Sequence, residues 1–268
     1  MPPESVRTRD GTRISYVRTG VGSPLVLVHG TAADHSRWRP VLPGLADRFS
    51  VLSVDRRGRG GSGDAETYAV EREFEDVAAV ADGLGEPTIV LGHSYGGLCA
   101  LEAALLSENV EKLVLYDPGL EVAGEQIYPY AVIERLERLL DDGDRDAVVA
   151  TMLREVAGLP PEVIGQMRSQ PAWGARVDAA HTIPRELRAV KEYRFDPDRF
   201  SDLDVPVLVL SGETSPAALV RAAEDVRDAL PNGRRVVLPG QGHAAMDTGT
   251  DLFVGAVLGF VDERSTAP

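Results

Sequence analysis

The 268-residue chain predicts an α/β architecture, a doubly wound and mostly parallel sheet carrying a helical insertion. Three observations predict it. Short all-apolar runs alternate with amphipathic stretches of helical spacing. That rhythm stops over 119–200 and then resumes. A glycine-flanked serine stands at one junction between an apolar run and a helix. Strands buried on both faces of a parallel sheet read as continuous apolar runs, and parallel neighbours need a crossover helix between them.

The elements follow in order. Residues 14–17 predict an early strand, ended by Thr19-Gly20-Val21-Gly22, and 25–28 predict a buried one. A short helix is expected over 38–45. The strand at 49–54 runs into the loop Asp55-Arg56-Arg57-Gly58-Arg59-Gly60-Gly61-Ser62-Gly63. Over 68–84, Phe74, Val77, Ala78, Ala81 and Leu84 share one helical stripe. A strand at 88–91, a helix at 98–105 and a strand at 113–116 come next. From 118 to 200 no strong strand signal appears. Ile133, Leu136, Leu139 and Leu140 mark one helix, Val148, Val149, Met152, Leu153 and Val156 the next, and Pro160-Pro161 ends that unit. Further helix is expected at 175–180 and 185–193. Strands at 205–210 and 234–238, with helices at 217–230 and 252–261, complete the pattern. Residues 1–118 and 201–268 therefore predict the core, and 119–200 an insertion covering one end of the sheet.

Composition narrows the partners. With 42 acidic against 28 basic residues the net charge is −14, which argues against nucleic acid and anionic membranes. Cys99 is the only cysteine, so no intrachain disulfide forms, and a buried packing role is expected for it. Residues 1–10 lack the apolar core of a leader, and no window reaches membrane-spanning length. A cytoplasmic protein, monomer or homodimer, is expected.

The chemistry starts at Gly92-His93-Ser94-Tyr95-Gly96. A serine in so tight a turn is strained, and side chains at the flanking positions would collide with neighbouring elements. Its hydroxyl is displayed at a helix N-terminus, where free N–H groups favour negative charge. This is the sequence form of a nucleophile elbow. Serine is a weak nucleophile until a base takes its proton. Among five histidines, His243 stands in Gly240-Gln241-Gly242-His243-Ala244, between the last strand and the last helix. Loops at the carboxyl ends of a doubly wound sheet gather over one edge, which brings that loop toward Ser94. His93 should point away from the nucleophile, and His29 should brace its loop. In His29-Gly30-Thr31 the Thr31 N–H, with the N–H of Tyr95, is placed to form an oxyanion hole. His35 and His181 are expected to face solvent or line a pocket.

With these motifs the chain resembles the α/β-hydrolase superfamily over essentially its whole length. His29-Gly30, Gly92-His93-Ser94-Tyr95-Gly96-Gly97 and Gly242-His243 carry the resemblance, in order and spacing. It implies the α/β-hydrolase fold with the insertion as a helical cap, and a structural role for Asp55. It also implies a carboxylate that orients the histidine, ordinarily an aspartate in a Gly-x-x-Asp pattern after the post-insertion strand. Here that place reads Gly212-Glu213-Thr214-Ser215. Two candidates stand: Asp117, which ends the strand at 113–116 ahead of Pro118-Gly119, and Glu213. Asp117 is favoured, since some members draw their acid from that earlier strand end. Asp247 is expected to cap the last helix.

The resemblance implies a serine hydrolase acting on a small-molecule ester, lactone or thioester through Ser94, His243 and Asp117. No metal or organic cofactor is implied. A serine elbow argues against the haloalkane dehalogenase and epoxide hydrolase branches, which place aspartate there. Alternative readings are a cofactor-free C–C bond hydrolase or lyase, and a slow-turnover ligand-binding receptor. Tyr128, Tyr130, Met152, Trp173 and Phe195 are pocket-lining candidates that core packing explains equally well.

Overall fold

The computed structural model describes residues 3–263. Met1 and Pro2 of the N-terminal stretch, and 264–268 at the end of the second core segment, lie outside the described residues. Eight strands form one sheet: β1 (Glu4–Arg7), β2 (Arg13–Thr19), β3 (Ser23–Val28), β4 (Phe49–Asp55), β5 (Thr88–His93), β6 (Val110–Tyr116), β7 (Val207–Gly212) and β8 (Gly233–Leu238). Their spatial order is β1-β2-β4-β3-β5-β6-β7-β8. The first two pairings are antiparallel and the rest parallel. Strand β1 was not expected from sequence. Val6 is its only apolar residue, too little for a pattern, and its partner β2 supplies the ladder.

Alternation along each strand sorts the core into two layers. Val26, Val28, Leu52, Val54, Val90, Leu113, Leu115, Val207 and Val209 face one side. There they meet α2 (Val70–Asp82), α3 (Tyr95–Ala103) and α9 (Ala217–Ala229). Leu25, Leu27, Val51, Ile89, Leu91, Val114, Leu208 and Leu210 face the other, against α1 (Leu42–Ala46) and α11 (Thr250–Asp262). Each such side chain contributes about 1.5–3 kcal/mol by leaving water, so both faces need helices and both have them.

Between β6 and β7 lie five helices: α4 (Ala131–Asp141), α5 (Arg145–Glu155), α6 (Pro161–Arg168), α7 (Ala172–Asp178) and α8 (Thr182–Glu192). Helix α6 corrects the sequence reading, because Pro160-Pro161 opens a helix as well as closing the previous unit. Pro161 occupies the first turn, where its missing N–H has no partner to lose. The single helix expected over 38–45 is instead a 3-10 turn (His35–Trp38) followed by α1, with Pro40 between them. The short α10 (Ala245–Thr248) precedes α11. Among the described residues no helix is long and apolar enough to cross a membrane.

The position of the site follows from topology. From β3 the chain moves to β4 on one side, then crosses back so that β5 pairs with β3 on the other. Loops diverge at such a reversal and leave a crevice at the strand carboxyl ends. The loop after β3 and the turn after β5 border it.

Candidate active site

Strand β5 delivers Ser94 at its carboxyl end with φ 54° and ψ −126°, a conformation that costs a non-glycine residue about 1–3 kcal/mol. Backbone bonds hold it there, among them a 3.3 Å bond from Leu98 N–H to its carbonyl. Ser94 N–H donates to Tyr116 O at 3.0 Å, and its carbonyl accepts from Gly97 at 2.7 Å and Gly119 at 2.8 Å. The flanking glycines are required by close approach. A Cβ on Gly92 would lie 2.3 Å from Gly96 O, and one on Gly96 would lie 2.3 Å from Val28 O.

Strand β6 delivers Asp117, fully buried and at φ 43°. Its Oδ2 accepts from His243 Nδ1 at 3.0 Å and from Ser215 Oγ at 2.6 Å, while Oδ1 is buried without a partner. Facing a carboxylate, Nδ1 is the donor in this pair. The His243 loop is pinned from below. His93 Nε2 donates to His243 O at 2.9 Å, the two rings lie 4.5 Å apart, and the Tyr116 hydroxyl donates to Gly242 O. His93 thus spends its Nε2 on the backbone of His243 and secures that loop. Burial, and then the neighbouring His243, push its imidazole well below the ordinary value, so it stays neutral. Among the described residues no hydrogen bond joins Ser94 Oγ to the imidazole; such bonds often tighten only when substrate is bound.

Glu213 lies elsewhere. It is exposed, and its Oε2 accepts from Gly240 N–H at 2.7 Å, fastening the loop that carries His243 without touching the ring. Asp247 is a correction: it lies within α10 and pairs with Arg37 at 2.5 Å, while Gly249 precedes α11. Asp55 holds His35 and the Gly61 N–H, a structural role.

The loop after β3 carries Thr31. His29 is buried, with Nε2 accepting from Arg56 N–H and Nδ1 donating to Gly30 O at 2.8 Å. Burial and the charges of Arg56 and Arg59 push it far below the usual imidazole range, so it braces the loop and does not titrate. Gly30 backs onto the elbow: a Cβ there would sit 2.9 Å from Ser94 Cβ. Among the described residues neither Thr31 N–H nor Tyr95 N–H donates to a protein acceptor.

Sequence reading missed a buried ion cluster beside this loop. Arg56 bonds Glu73 through Nη1 (3.0 and 2.9 Å) and Glu186 through Nη2 (2.9 Å), and Arg59 also pairs with Glu186. All four are at most 4% exposed. The arginine-rich loop was visible as a motif. Glu186 was not, being one more charge on a charged helix. Two clefts of about 620 and 770 Å³ flank the segment around Tyr193, and neither is lined by Ser94, Asp117 or His243. Tyr130 and Phe195 line the smaller one, whereas Tyr128, Met152 and Trp173 are buried in the core.

Residues 25–256 match the family model described as Alpha/beta hydrolase family. An alpha/beta hydrolase from Sphaerobacter thermophilus DSM 20745 is 35% identical with a TM-score of 0.83, over 96% of this chain and 100% of that one. Esterase RhEst1 from Rhodococcus sp. ECU1013 is 28% identical with a TM-score of 0.77, over 98% and 99%. The soluble epoxide hydrolase of Corynebacterium sp. (strain C12) is 35% identical over 153 residues, 55% of this chain and about half (53%) of that protein. The sheet order, the elbow after β5 and a match running from β3 into the last helix agree, and the chain belongs to the alpha/beta hydrolase family.

Proposed function

We propose that the protein is a serine hydrolase cleaving a small-molecule carboxylic ester, lactone or thioester. The observation that carries this reading is the 3.0 Å bond from His243 Nδ1 to buried Asp117, on a loop anchored to the residue preceding Ser94. Asp117 fixes the tautomer and balances the charge that His243 gains. His243 Nε2 takes the Ser94 proton as Oγ attacks the carbonyl carbon. The resulting oxyanion accepts from Thr31 and Tyr95 N–H, each such donor being worth about 3–4 kcal/mol in the transition state. Collapse breaks the bond to the leaving group, which takes the proton from His243 and leaves an acyl group on Ser94. Water, deprotonated by the same imidazole, attacks the acyl carbon; the bond to Ser94 Oγ breaks, Oγ takes the proton back from His243, and the acid leaves. These steps use side chains, backbone and water alone.

The insertion acts as a cap over the strand carboxyl ends. Supporting this, Arg176 of α7 bonds Ala32 O at 3.1 Å and Arg185 of α8 bonds Asp64 at 2.8 Å. Ester chemistry is supported by the likeness to RhEst1, and the serine at the elbow separates the chain from the aspartate-bearing branches.

The test is intact-mass spectrometry after a fluorophosphonate probe, alongside 4-nitrophenyl ester assays. A single adduct and ester turnover on wild type, both lost in Ser94→Ala, are expected. An adduct that survives Ser94→Ala, or a wild type that neither labels nor turns over esters, overturns the reading.

A further inference from the structure

We infer that Glu186, on α8 of the insertion, is a positioning residue for the oxyanion loop, acting through Arg56 and Arg59. The inference rests on the reading of Ser94 and Thr31 given above.

Carbonyl oxygens of the loop are held by these two arginines. Arg56 Nε donates to His29 O at 3.0 Å and its Nη2 to Gly30 O at 3.3 Å; Arg59 Nη1 donates to Ala33 O at 3.4 Å. In a planar trans peptide the C=O and the following N–H point in opposite directions. Holding Gly30 O toward Arg56 therefore turns Thr31 N–H the other way. His29 Nδ1 donates to the same carbonyl at 2.8 Å, so the direction of that N–H is set jointly by His29 and the Arg56 grip, and the close approach of Gly30 to Ser94 leaves no room for a Cβ there.

The arginines in turn need anions, because they are buried. Glu73 of α2 takes one edge of Arg56. Among the described residues Glu186 is the only carboxylate paired with Arg59, whose Nε has no partner. Glu186 also closes the second edge of Arg56. Two positive and two negative charges balance only with α8 in place, and removing one member would leave an uncompensated buried charge against the loop carbonyls. Tyr95 rests on the same cluster: Arg56 lies 4.7 Å above its ring, and its hydroxyl bonds Tyr68, which donates to Glu73. Both proposed oxyanion donors thus depend on charges that the insertion completes.

The experiment compares Glu186→Gln, Glu186→Asp and the charge-balanced pair Glu186→Gln/Arg59→Gln with wild type. Readouts are kcat and KM on 4-nitrophenyl acetate, inhibition by an aryl trifluoromethyl ketone, and the thermal midpoint. Arg188→Gln, which breaks an α8 ion pair with Glu137, is the control and should leave kcat unchanged. Glu186→Gln should lower kcat about 10- to 100-fold with KM within about twofold, and weaken the ketone by the same factor. Glu186→Asp should fall between. The balanced pair should regain the thermal midpoint but not kcat, since Arg56 still lacks the carboxylate on its second edge and Ala33 O stays released. A folded Glu186→Gln with unchanged kcat and ketone affinity, or a balanced pair with wild-type kcat, overturns the inference alone. A wild type unlabelled at Ser94 overturns the hydrolase reading and this inference with it.

Discussion

Ser215 donates its hydroxyl to Asp117 Oδ2 at 2.6 Å, the same oxygen that His243 Nδ1 reaches at 3.0 Å. The position where the family resemblance puts an aspartate is thus occupied by a serine that serves the carboxylate of the neighbouring strand. Strands β6 and β7 are paired, Tyr116 against Leu210, so acids at either carboxyl end reach a similar point in space.

The first prediction separates the two acids. Asp117→Asn should lower kcat about 10³- to 10⁴-fold by misplacing the ring proton. Glu213→Gln, which only weakens a bond to Gly240 N–H, should stay within about threefold of wild type. Steady-state kinetics on one 4-nitrophenyl ester decide it, and the opposite ranking would reject the assignment.

A second concerns the vacated position. Ser215→Asp sets two carboxylates side by side, and like charges so close cannot both ionise. Activity should drop near neutral pH. In the Asp117→Asn background the same substitution should restore part of the lost kcat, because it supplies the imidazole with a new anion. No recovery in the double variant would show that only the β6 end can reach His243.

A third tests the contact between loop and elbow. Gly30→Ala puts a methyl 2.9 Å from Ser94 Cβ and 3.4 Å from its hydroxyl. The nucleophile or the loop must shift by a few tenths of an ångström, and a geometric fault of that order costs up to about 10²-fold in rate. The expected variant is folded by circular dichroism and slow toward the fluorophosphonate.

Stability should depend on pH in two arms. Burial, chiefly, keeps His29 and His93 neutral in the fold, well below the 6.5 of a free imidazole. Unfolded chains take up those protons as pH falls below 6.5, so stability present above that value is lost on acidification, each such proton steepening the slope by about 1.4 kcal/mol per pH unit. His35 has the opposite sign: its bond to Asp55 raises it above 6.5, and its contribution is lost as pH rises through the folded value. Urea midpoints from pH 5 to 8 should show both arms, with His35→Gln removing only the alkaline one.

Much of the molecule is legible in the residues because its signals are local. Ser94 announces itself through the glycines that the turn requires, and β3, β5, β6 and β7 through runs of Val, Leu and Ile. Cys99 is fully buried, as its setting on a small-residue helix implied. What stayed hidden depends on partners distant in sequence. Strand β1 has one apolar residue and exists because β2 offers an edge. Glu186 looks like any charge on a helix surface until 127 residues of separation close onto Arg59. The serine at 215 reads as a lost aspartate until Asp117 is seen beside it.

The bond between His93 and the carbonyl of His243 spans 150 residues, and β8, which leads into the imidazole loop, is the outermost strand at that end of the sheet. Under the proposed chemistry, the Ser94 hydroxyl meets its base only through the loop that follows β8, at the far edge of the sheet from β1.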